Sequence, residues 1–218
     1  RRRGFSLGIN LFPCVKVCSY NCVYCFRGPT QIKVSTPIEE LGVDADTLRN
    51  ALKEAFTRLV DVKIQALDFS GSGEPTLHTN LAELIDAARK FIKEWGIDAS
   101  LGIFTNSSML DRDRVLNAIT KLDHIEAKLD TAVEWKFKQL NLPSRGITLD
   151  RVVKGLKNLR KLYRGRLAIQ IMLFRYGAKA NYGTRDAALM ARILSEIEPD
   201  VGPMRQRRRQ MALEGVGT

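Results

Sequence analysis

Residues 14–25 read CVKVCSYNCVYC and contain all four cysteines of the 218-residue chain, namely Cys14, Cys18, Cys22 and Cys25. The last three form a C-x3-C-x2-C run, so three thiolates are close enough in sequence to surround one metal centre. A secreted disulfide scaffold would distribute its cysteines along a smaller chain, and no second C-x2-C pair follows as in paired zinc knuckles. The clustering indicates a metal or iron–sulfur centre in a reducing compartment, which we take to be the cytoplasm.

Outward from this loop, apolar strand-like runs alternate with helical stretches. Predicted strands cover residues 5–11, 63–70, 99–105, 124–130 and 167–174, and predicted helices cover residues 46–60, 81–95, 111–122, 149–163 and 184–197. Short β–α connections require parallel strands with right-handed crossovers. Five strands are too few for a closed eightfold barrel, which leaves an open doubly wound sheet or a partial barrel. We expect an α/β fold of the second kind, a partial (β/α)6-type TIM-like barrel whose last strand the sequence does not show.

The composition is that of a globular protein, with 44% apolar and 27% charged residues. These values exclude a wholly disordered chain and a collagen-like chain. No run approaches the roughly 18 consecutive apolar residues of a membrane span. No apolar segment follows the basic residues 1–3, so we expect neither a secretory signal nor a membrane partner.

The net charge of +11 is unevenly distributed. Arginines concentrate at residues 1–3 and 205–209, and residues 151–166 contain seven basic residues and no acidic one. Total charge is therefore a weak argument for nucleic-acid binding. We expect residues 1–200 to form one core domain and residues 201–218 a disordered or altered basic tail, with a tail that binds nucleic acid or an acidic surface as the alternative.

A glycine-rich turn, FSGSGEPT at residues 69–76, follows the second predicted strand. Glycines such as Gly71 and Gly73 let backbone groups approach a ligand closely, and Glu74 could accept hydrogen bonds from an ammonium group. The Lys-Ser/Thr pair of a phosphate-binding P-loop is missing. A purely structural turn is the alternative interpretation.

Polar residues also end the later strands, with Asn106 after the third, and Lys128 and Asp130 at the end of the fourth. Catalytic groups of β/α barrels lie at such carboxyl ends, although solvated strand ends are the simpler explanation. Gln170 and Met172 alternate with apolar residues on the fifth strand, so we expect them to face inward, Met172 as core filling or as an adenine contact.

The cysteine run, with Tyr24 just before its third cysteine and SLGIN at residues 6–10 before the loop, resembles the radical S-adenosylmethionine (radical SAM) superfamily. Within it, the chain is similar to the iron–sulfur oxidoreductases related to the tRNA wyosine-synthesising enzymes. The resemblance covers roughly residues 3–199. It implies a [4Fe-4S] cluster held by Cys18, Cys22 and Cys25, with one iron open to SAM.

The resemblance also assigns residues to SAM. Residues 72–74 stand at the family's Gly-Gly-Glu position, which holds the SAM amino group, and Ser72 replaces the first glycine. The family's ribose and carboxylate contacts correspond to Asn106, Lys128 and Asp130. An electron donor such as flavodoxin or ferredoxin would drive cleavage of SAM to a 5′-deoxyadenosyl radical, with tRNA as one candidate substrate. No catalytic group beyond the cluster ligands is assigned.

Two other functions stay open. One is a non-catalytic zinc module that uses all four cysteines to bind RNA. The other is a truncated, inactive radical SAM paralogue, because a sixth strand is not evident. As a fourth ligand Cys14 would close the cluster, so we interpret it as a structural or incidental thiol. His78 and His124, the two histidines, are interpreted as caps or surface residues.

Two further segments invite functional hypotheses. Lys154, Lys157, Lys161 and Arg164 share one face of a predicted helix. That face is either solvated or a phosphate-backbone footprint for tRNA. Residues 131–148 form a longer connection than a minimal βα loop, which suggests a lid or substrate-contact role, with ordinary loop packing as the alternative.

Overall fold

The computed structural model describes residues 4–38, 40–176, 179–200 and 204–206. Within these ranges the strands are β1 (Phe5–Ile9), β2 (Val17–Cys18), β3 (Ile32–Lys33), β4 (Ile64–Phe69), β5 (Ser100–Thr105), β6 (His124–Lys128), β7 (Arg166–Leu173), β8 (Arg175–Tyr176), β9 (Lys179–Ala180) and β10 (Met204–Gln206). The helices are α1 (Ala45–Arg58), α2 (Leu81–Glu94), α3 (Asp113–Ile119), α4 (Glu134–Asn141), α5 (Leu149–Leu162) and α6 (Thr184–Ile197). None of these helices has the length and apolar character needed to cross a bilayer.

One parallel sheet, in the order β1-β4-β5-β6-β7-β10, organises the fold. Strand order follows chain order without a reversal, so successive right-handed crossovers place the helices on one face. A doubly wound sheet would reverse at its centre and carry helices on both faces. Among the described strands β1 and β10 end the sheet without pairing to each other. The predicted partial barrel is therefore confirmed, and the doubly wound alternative is excluded.

The predicted strands correspond to β1, β4, β5, β6 and β7, and the predicted helices to α1, α2, α3, α5 and α6. Local chemistry explains two helix starts. The side chain of Asp44 accepts a hydrogen bond from the Thr47 N–H at 2.7 Å, which caps α1, and Thr148 caps α5 by accepting from Arg151 N–H. Each cap satisfies a backbone donor that the first turn of a helix leaves without a partner.

The main core lies between the sheet and the helices. In β5, Leu101 and Ile103 are fully buried, and they alternate with residues that face the inside of the barrel. Helix α2 contributes the buried residues Leu84, Ile85 and Ala88 at helical spacing. Because the apolar side chains of the strands and helices pack together on the outer face of the sheet, its inner face and its carboxyl edge remain available for polar side chains.

The structure adds several elements to the predicted pattern, namely the two-residue strands β2, β3, β8 and β9, the helix α4 and the strand β10. Residues 131–148, expected as an irregular loop, contain α4. The missing sixth position is taken by the three-residue strand β10, which pairs with β7 in parallel. The remainder of the expected basic tail, residues 201–203 and 207–218, lies outside the described residues.

Candidate functional site

A cavity of about 410 Å³ opens at the carboxyl edge of the sheet, between the strand ends and the loop that follows β1. Parallel strands end at the same edge, so residues distant in sequence meet there. The volume is in the range of small-molecule sites. Its lining consists of Lys16, Cys18, Tyr20, Cys22, Tyr24, Cys25, Phe26, Arg27, Ser70, Gly71, Gly73, Glu74, Phe104, Thr105, Asn106, Glu126, Lys128, Gln170 and Met172.

The three predicted cluster cysteines all line this cavity, while Cys14 is exposed and is not part of the lining. Burial raises the pKa of the Cys18 thiol to about 12, and the negative charge of Glu74 adds to the rise. Burial likewise raises the pKa of Cys22 to about 11. These thiols therefore ionise at neutral pH only when a positive centre compensates the charge, as a bound metal does.

The glycine turn after β4 is fixed against the cysteine loop. Gly73 has φ +107°, and a Cβ there would lie 1.8 Å from the carbonyl oxygen of Val17. Glu74 N–H donates to that same oxygen at 2.8 Å. A side chain at position 73 would separate the two segments, so the close approach requires glycine. Ser72, which was expected beside the ligand, is not among the lining residues.

Glu74 is 1% exposed and lines the cavity. Its Oε1 accepts from Thr76 N–H at 3.1 Å, Thr76 Oγ1 at 2.6 Å and Thr105 Oγ1 at 2.7 Å, and its Oε2 accepts from Asn106 N–H at 2.6 Å. Burial raises the pKa of this carboxyl, and the hydrogen bonds oppose the rise. With one donor on Oε2, that oxygen retains capacity for a ligand donor.

Of the predicted strand-end contacts, Asn106 and Lys128 line the cavity but Asp130 does not. The side chain of Asn106 donates to Ser19 Oγ at 2.9 Å, which ties β5 to the cysteine loop. Asp130 is buried and accepts from Lys128 Nζ and from Met172 N–H, both at 2.9 Å. The expected direct contact of Asp130 with a ligand is thus not supported by its position.

Asp130 instead connects the cavity wall to the cysteine loop. It accepts a hydrogen bond from Tyr24 Oη, and Asn141 at the end of α4 donates to Tyr24 Oη at 2.8 Å. Lys128 Nζ lies 5.1 Å from the Tyr24 ring centroid. This network holds Tyr24, the aromatic residue of the cysteine motif, in one orientation.

The fifth predicted strand behaves as expected, since Gln170 and Met172 both line the cavity. Sequence reasoning missed Lys16, Tyr20 and Arg27, which lie inside or beside the cysteine run. Lys16 and Tyr20 are only 5% and 3% exposed. No periodic pattern marks them, because the loop that carries them has almost no regular secondary structure.

The residues around α4 are bonded to the cysteine loop rather than forming an open lid, and none of them is in the lining of the cavity. Asn21 N–H donates to the carbonyl of Asn141 at 3.0 Å, and Val23 N–H donates to that of Leu140 at 3.0 Å. Ser144 N–H donates to Ser19 O at 2.8 Å. These backbone bonds fix residues 131–148 to the cysteine loop.

The interpretation of the histidines as caps or surface residues is wrong for His124, whereas His78 is a cap but is buried. His124 is buried and its Nε2 lies 2.6 Å from Asp68 Oδ1 inside the barrel, so it is not a surface residue. His78 follows a short 3₁₀ turn and accepts from Asn80 N–H, as a cap would, but it is 4% exposed. Neither histidine is in the lining of the cavity.

The basic face of α5 is partly neutralised. Lys154 pairs with Asp150 at 2.8 Å, and Lys157 pairs with Glu196 of α6. The helix precedes β7, so its carboxyl-terminal residues, including Lys161, lie toward the sheet edge opposite the cavity. This placement separates the basic face from the mouth of the site.

In the described ranges, no three side chains of His, Cys, Asp or Glu are grouped tightly enough to hold one metal ion. A single tetrahedral zinc site draws its ligands onto one ion. In a four-iron cluster each thiolate binds a different iron, so the sulfurs stand farther apart. Three cysteine thiols that line one cavity are a donor set that such a cluster can use.

Fold and site together define a β/α partial barrel with a cavity of small-molecule size at its carboxyl edge, beside a cysteine loop. The radical SAM superfamily model matches residues 12–177 of the chain. The chain therefore belongs to the radical SAM superfamily, whose members use a [4Fe-4S] cluster and SAM. The family resemblance read from the cysteine motif is confirmed.

Two related proteins are longer than this chain. The UPF0026 protein MJ1312 of Methanocaldococcus jannaschii is 34% identical over 200 residues, which are 92% of this chain and 59% of that protein. A UPF0026 protein of Helicobacter pylori is 30% identical over 200 residues, covering 90% of this chain and 60% of that protein. The chain spans about six tenths of the length of these curated relatives.

Solved structures share the fold. Streptococcus suis SuiB bound to S-adenosylmethionine aligns with a TM-score of 0.61 at 17% identity, over 93% of this chain and 39% of SuiB. Archaeal TYW1 aligns with a TM-score of 0.54 at 17% identity, over 88% of this chain and 62% of TYW1.

Proposed function

We propose that this chain is the core of a radical SAM enzyme that holds a [4Fe-4S] cluster through Cys18, Cys22 and Cys25 and binds SAM beside it. The observation that carries the proposal is the single cavity lined by those three cysteines, the glycine turn and the polar strand ends. When bound, the reduced cluster supplies the electron that breaks the sulfonium C–S bond, giving methionine and a 5′-deoxyadenosyl radical.

The residues of the cavity fit this pair of cofactors. Three thiols without Cys14 leave one iron for a ligand that is not protein. The hydroxyl of Tyr20 is buried and lacks a hydrogen-bond partner among the described residues, yet Tyr20 lines the cavity. Buried polar groups are normally hydrogen-bonded, so this hydroxyl is consistent with a bound group that completes the site.

We assign roles to the chain's own groups accordingly. Gly71 and Gly73 let the backbone after β4 approach the SAM amino group, and Glu74 Oε2 accepts from it. Lys128 supplies a positive charge toward the SAM carboxylate, and Asn106 borders Cys18. Asp130 acts indirectly, by orienting Lys128 and Tyr24. Enclosure by the barrel keeps water from the reacting carbon.

The test is anaerobic reconstitution with iron and sulfide, followed by reduction with dithionite in the presence of SAM. We expect a brown protein that produces 5′-deoxyadenosine. Cys22→Ala should lose the visible absorption band, whereas the matched control Cys14→Ala should keep it. A colourless, zinc-loaded protein would favour the RNA-binding zinc module, and a fully loaded protein without product would favour the inactive paralogue.

For the substrate we propose a tRNA nucleoside as the first to test, and a reduced flavodoxin or ferredoxin as the electron donor. The support for tRNA is the resemblance to the wyosine branch. The partly neutralised α5 face argues against that helix as the tRNA footprint. Incubation of the reduced enzyme with total tRNA should give a nucleoside mass change that requires SAM. Unchanged tRNA with product formed on a peptide or small molecule would redirect the assignment.

A further inference from the structure

Each of the three cavity cysteines has its own side-chain hydrogen-bond donor. Asn106 Nδ2 lies 3.5 Å from Cys18 Sγ, and Asn141 Nδ2 lies 3.5 Å from Cys22 Sγ. Lys16 Nζ lies 3.2 Å from Cys25 Sγ. The donors come from three separate places in the fold, namely the end of β5, the end of α4 and the cysteine loop itself.

Lys16 differs from the other two donors because it carries a charge. The residue is 5% exposed, and its ammonium also donates to the carbonyl of Gly28. Its backbone is fixed as well, since Lys16 N–H donates to Gln31 Oε1 at 2.8 Å and its carbonyl accepts from Ile32 N–H at 3.1 Å. The ammonium is therefore held in place before any ligand arrives.

A buried ammonium requires a compensating anion. No carboxylate in the described part of the chain forms an ion pair with Lys16, whereas the lysines Lys128 and Lys136 of the same region pair with Asp130 and Asp186. The group that faces the Lys16 ammonium is the sulfur of Cys25. That sulfur becomes the required anion when it binds iron as a thiolate.

We propose that Lys16 is a positioning residue that holds the Cys25 thiolate and raises the reduction potential of the cluster, an inference that rests on the proposed function. Reduction adds negative charge, which a fixed ammonium beside a ligand sulfur stabilises more in the reduced than in the oxidised state. Net charge and hydrogen bonds to the sulfurs are among the factors that set iron–sulfur potentials. Asn106 and Asn141 supply the same hydrogen bonds without the charge, so their effect is smaller.

The experiment is an EPR-monitored redox titration of the reconstituted protein. We expect Lys16→Met to lose at least tenfold in the equilibrium constant for one-electron reduction, about 59 mV toward more negative potential. Lys16→Gln keeps an N–H donor but not the charge and should give an intermediate shift. Lys121→Met, which removes a lysine paired with Asp86 outside the site, should leave the potential unchanged.

The outcomes separate this inference from the proposed function. If the unmodified protein assembles no cluster, the proposed function fails. If it assembles one and Lys16→Met or Lys16→Gln titrates at the same potential, the inference is overturned while the proposed function stands.

If neither Lys16 variant binds a cluster, a measurement on the unmodified protein still tests the inference. Protein labelled with 15N at the lysine side chains, reduced without SAM, should show a 15N hyperfine coupling to the cluster that unlabelled protein lacks. Absence of that coupling overturns the inference.

Discussion

Tyr20 carries a buried hydroxyl that no described residue satisfies, so we expect this hydroxyl to have opposite effects on folding and on SAM binding. Without a partner, a buried hydroxyl costs desolvation free energy and returns no hydrogen bond. Burial, together with the nearby Cys22 and Glu74, raises the pKa of this phenol well above its usual range. The hydroxyl is therefore a neutral hydrogen-bond donor at neutral pH.

Replacement of Tyr20 by Phe should separate the two effects. We expect Tyr20→Phe to leave the free energy of unfolding of the cluster-free protein unchanged or to raise it by up to about 1 kcal/mol. SAM affinity of the loaded protein should fall by roughly tenfold, as for one lost hydrogen bond. Urea denaturation and a SAM titration measure the two quantities.

The matched control is Tyr163→Phe, because the Tyr163 hydroxyl donates to Leu122 O at 3.0 Å away from the cavity. This variant should lose about 1 kcal/mol of stability and keep its SAM affinity. The prediction for Tyr20 fails if Tyr20→Phe loses stability and binds SAM as before.

Thiol reactivity in the cluster-free protein should follow burial. Alkylation needs the thiolate, and burial raises the pKa of Cys18 to about 12 and of Cys22 to about 11. At pH 8 both thiols are protonated, so the exposed Cys14 should react with iodoacetamide more than tenfold faster. The rates of Cys18 and Cys22 should rise about tenfold per pH unit, since each unit below the pKa costs a factor of ten in thiolate.

Peptide mass spectrometry after timed alkylation at several pH values between about 7 and 9.5 measures these rates. Equal alkylation rates at Cys14, Cys18 and Cys22, or rates at Cys18 and Cys22 that do not change with pH, would contradict the prediction. Loading of the cluster before alkylation should protect Cys18 and Cys22 and leave Cys14 reactive.

At the scale of elements, the turn after β4 and the strand β2 depend on one glycine. Gly73→Ala should destabilise the fold by more than the roughly 1–2 kcal/mol of strain that a left-handed alanine costs, because its Cβ would also displace Val17 O. Gly96→Ala is the control, since Gly96 has φ +59° but a Cβ there would meet no described atom within 4 Å. Urea denaturation measures both losses, and equal losses would show that the close approach to β2 is unimportant.

Three neighbouring strands, β4, β5 and β6, are joined by a side-chain pair that crosses a glycine. Asp68, Gly102 and His124 are in register, so the His124–Asp68 hydrogen bond passes over Gly102 of the middle strand. A Cβ at Gly102 would lie 1.9 Å from His124 Nε2. The inward layer beneath the cavity thus depends on the absence of a side chain at one position.

This arrangement predicts that the stability losses caused by substitutions at Gly102 and His124 are not additive. Gly102→Ala and His124→Ala should each destabilise the protein by about 3 kcal/mol, the first by overpacking and the second by leaving Asp68 buried without this partner. In the double variant, the alanine methyl occupies part of the space of the lost ring, so the combined loss should be smaller than the sum by 1 kcal/mol or more, roughly. A double-mutant cycle by urea denaturation measures the coupling, and additive losses would contradict it.

The sequence predicted the helices and strands whose apolar residues recur at regular spacing, but it did not predict the side-chain contacts that join these elements. The helical spacing of Leu84, Ile85 and Ala88 identified α2 because that period is local. His124 was interpreted as a cap or surface residue because its partner Asp68 is 56 residues away. Local patterns contain no information on such pairs. Gly102, in the strand between Asp68 and His124, was a usable signal, because a glycine there leaves room for a neighbouring side chain.

The site shows the same division. The cysteines and the glycine turn were identified from motifs, and Asn106 was placed by the rule for strand ends. Lys16 was not found, because nothing in a loop without periodicity shows which lysine is buried. Asp130 was given a direct ligand contact, whereas the structure turns its carboxylate toward Lys128 and Met172.

For the whole molecule, the connection between β1 and α1 is the part whose stability we expect to depend on the cluster. Its secondary structure consists of β2 and β3, two residues each, and loops of this length in compact domains are usually functional. Two other segments, residues 74–79 and 140–144, hold it through backbone bonds, for example Glu74 N–H to Val17 O at 2.8 Å and Ser144 N–H to Ser19 O at 2.8 Å. Its centre carries the three cavity cysteines, so binding of the proposed cluster there would add directly to its folding free energy.

Removal of the cluster should therefore unfold this connection before the barrel. In limited trypsin digestion, chelated protein should be cut first after the exposed residues Arg27 or Lys33, about tenfold faster than loaded protein, because local opening controls proteolysis. Cleavage after Lys93 in α2 should not respond to chelation. Cys22→Ala should behave like chelated protein without added chelator. Mass spectrometry of the first fragments identifies the sites that are cut. Equal cleavage rates with and without the cluster, or first cuts in the helices, would contradict the prediction, because the connection would then be stable without the cluster.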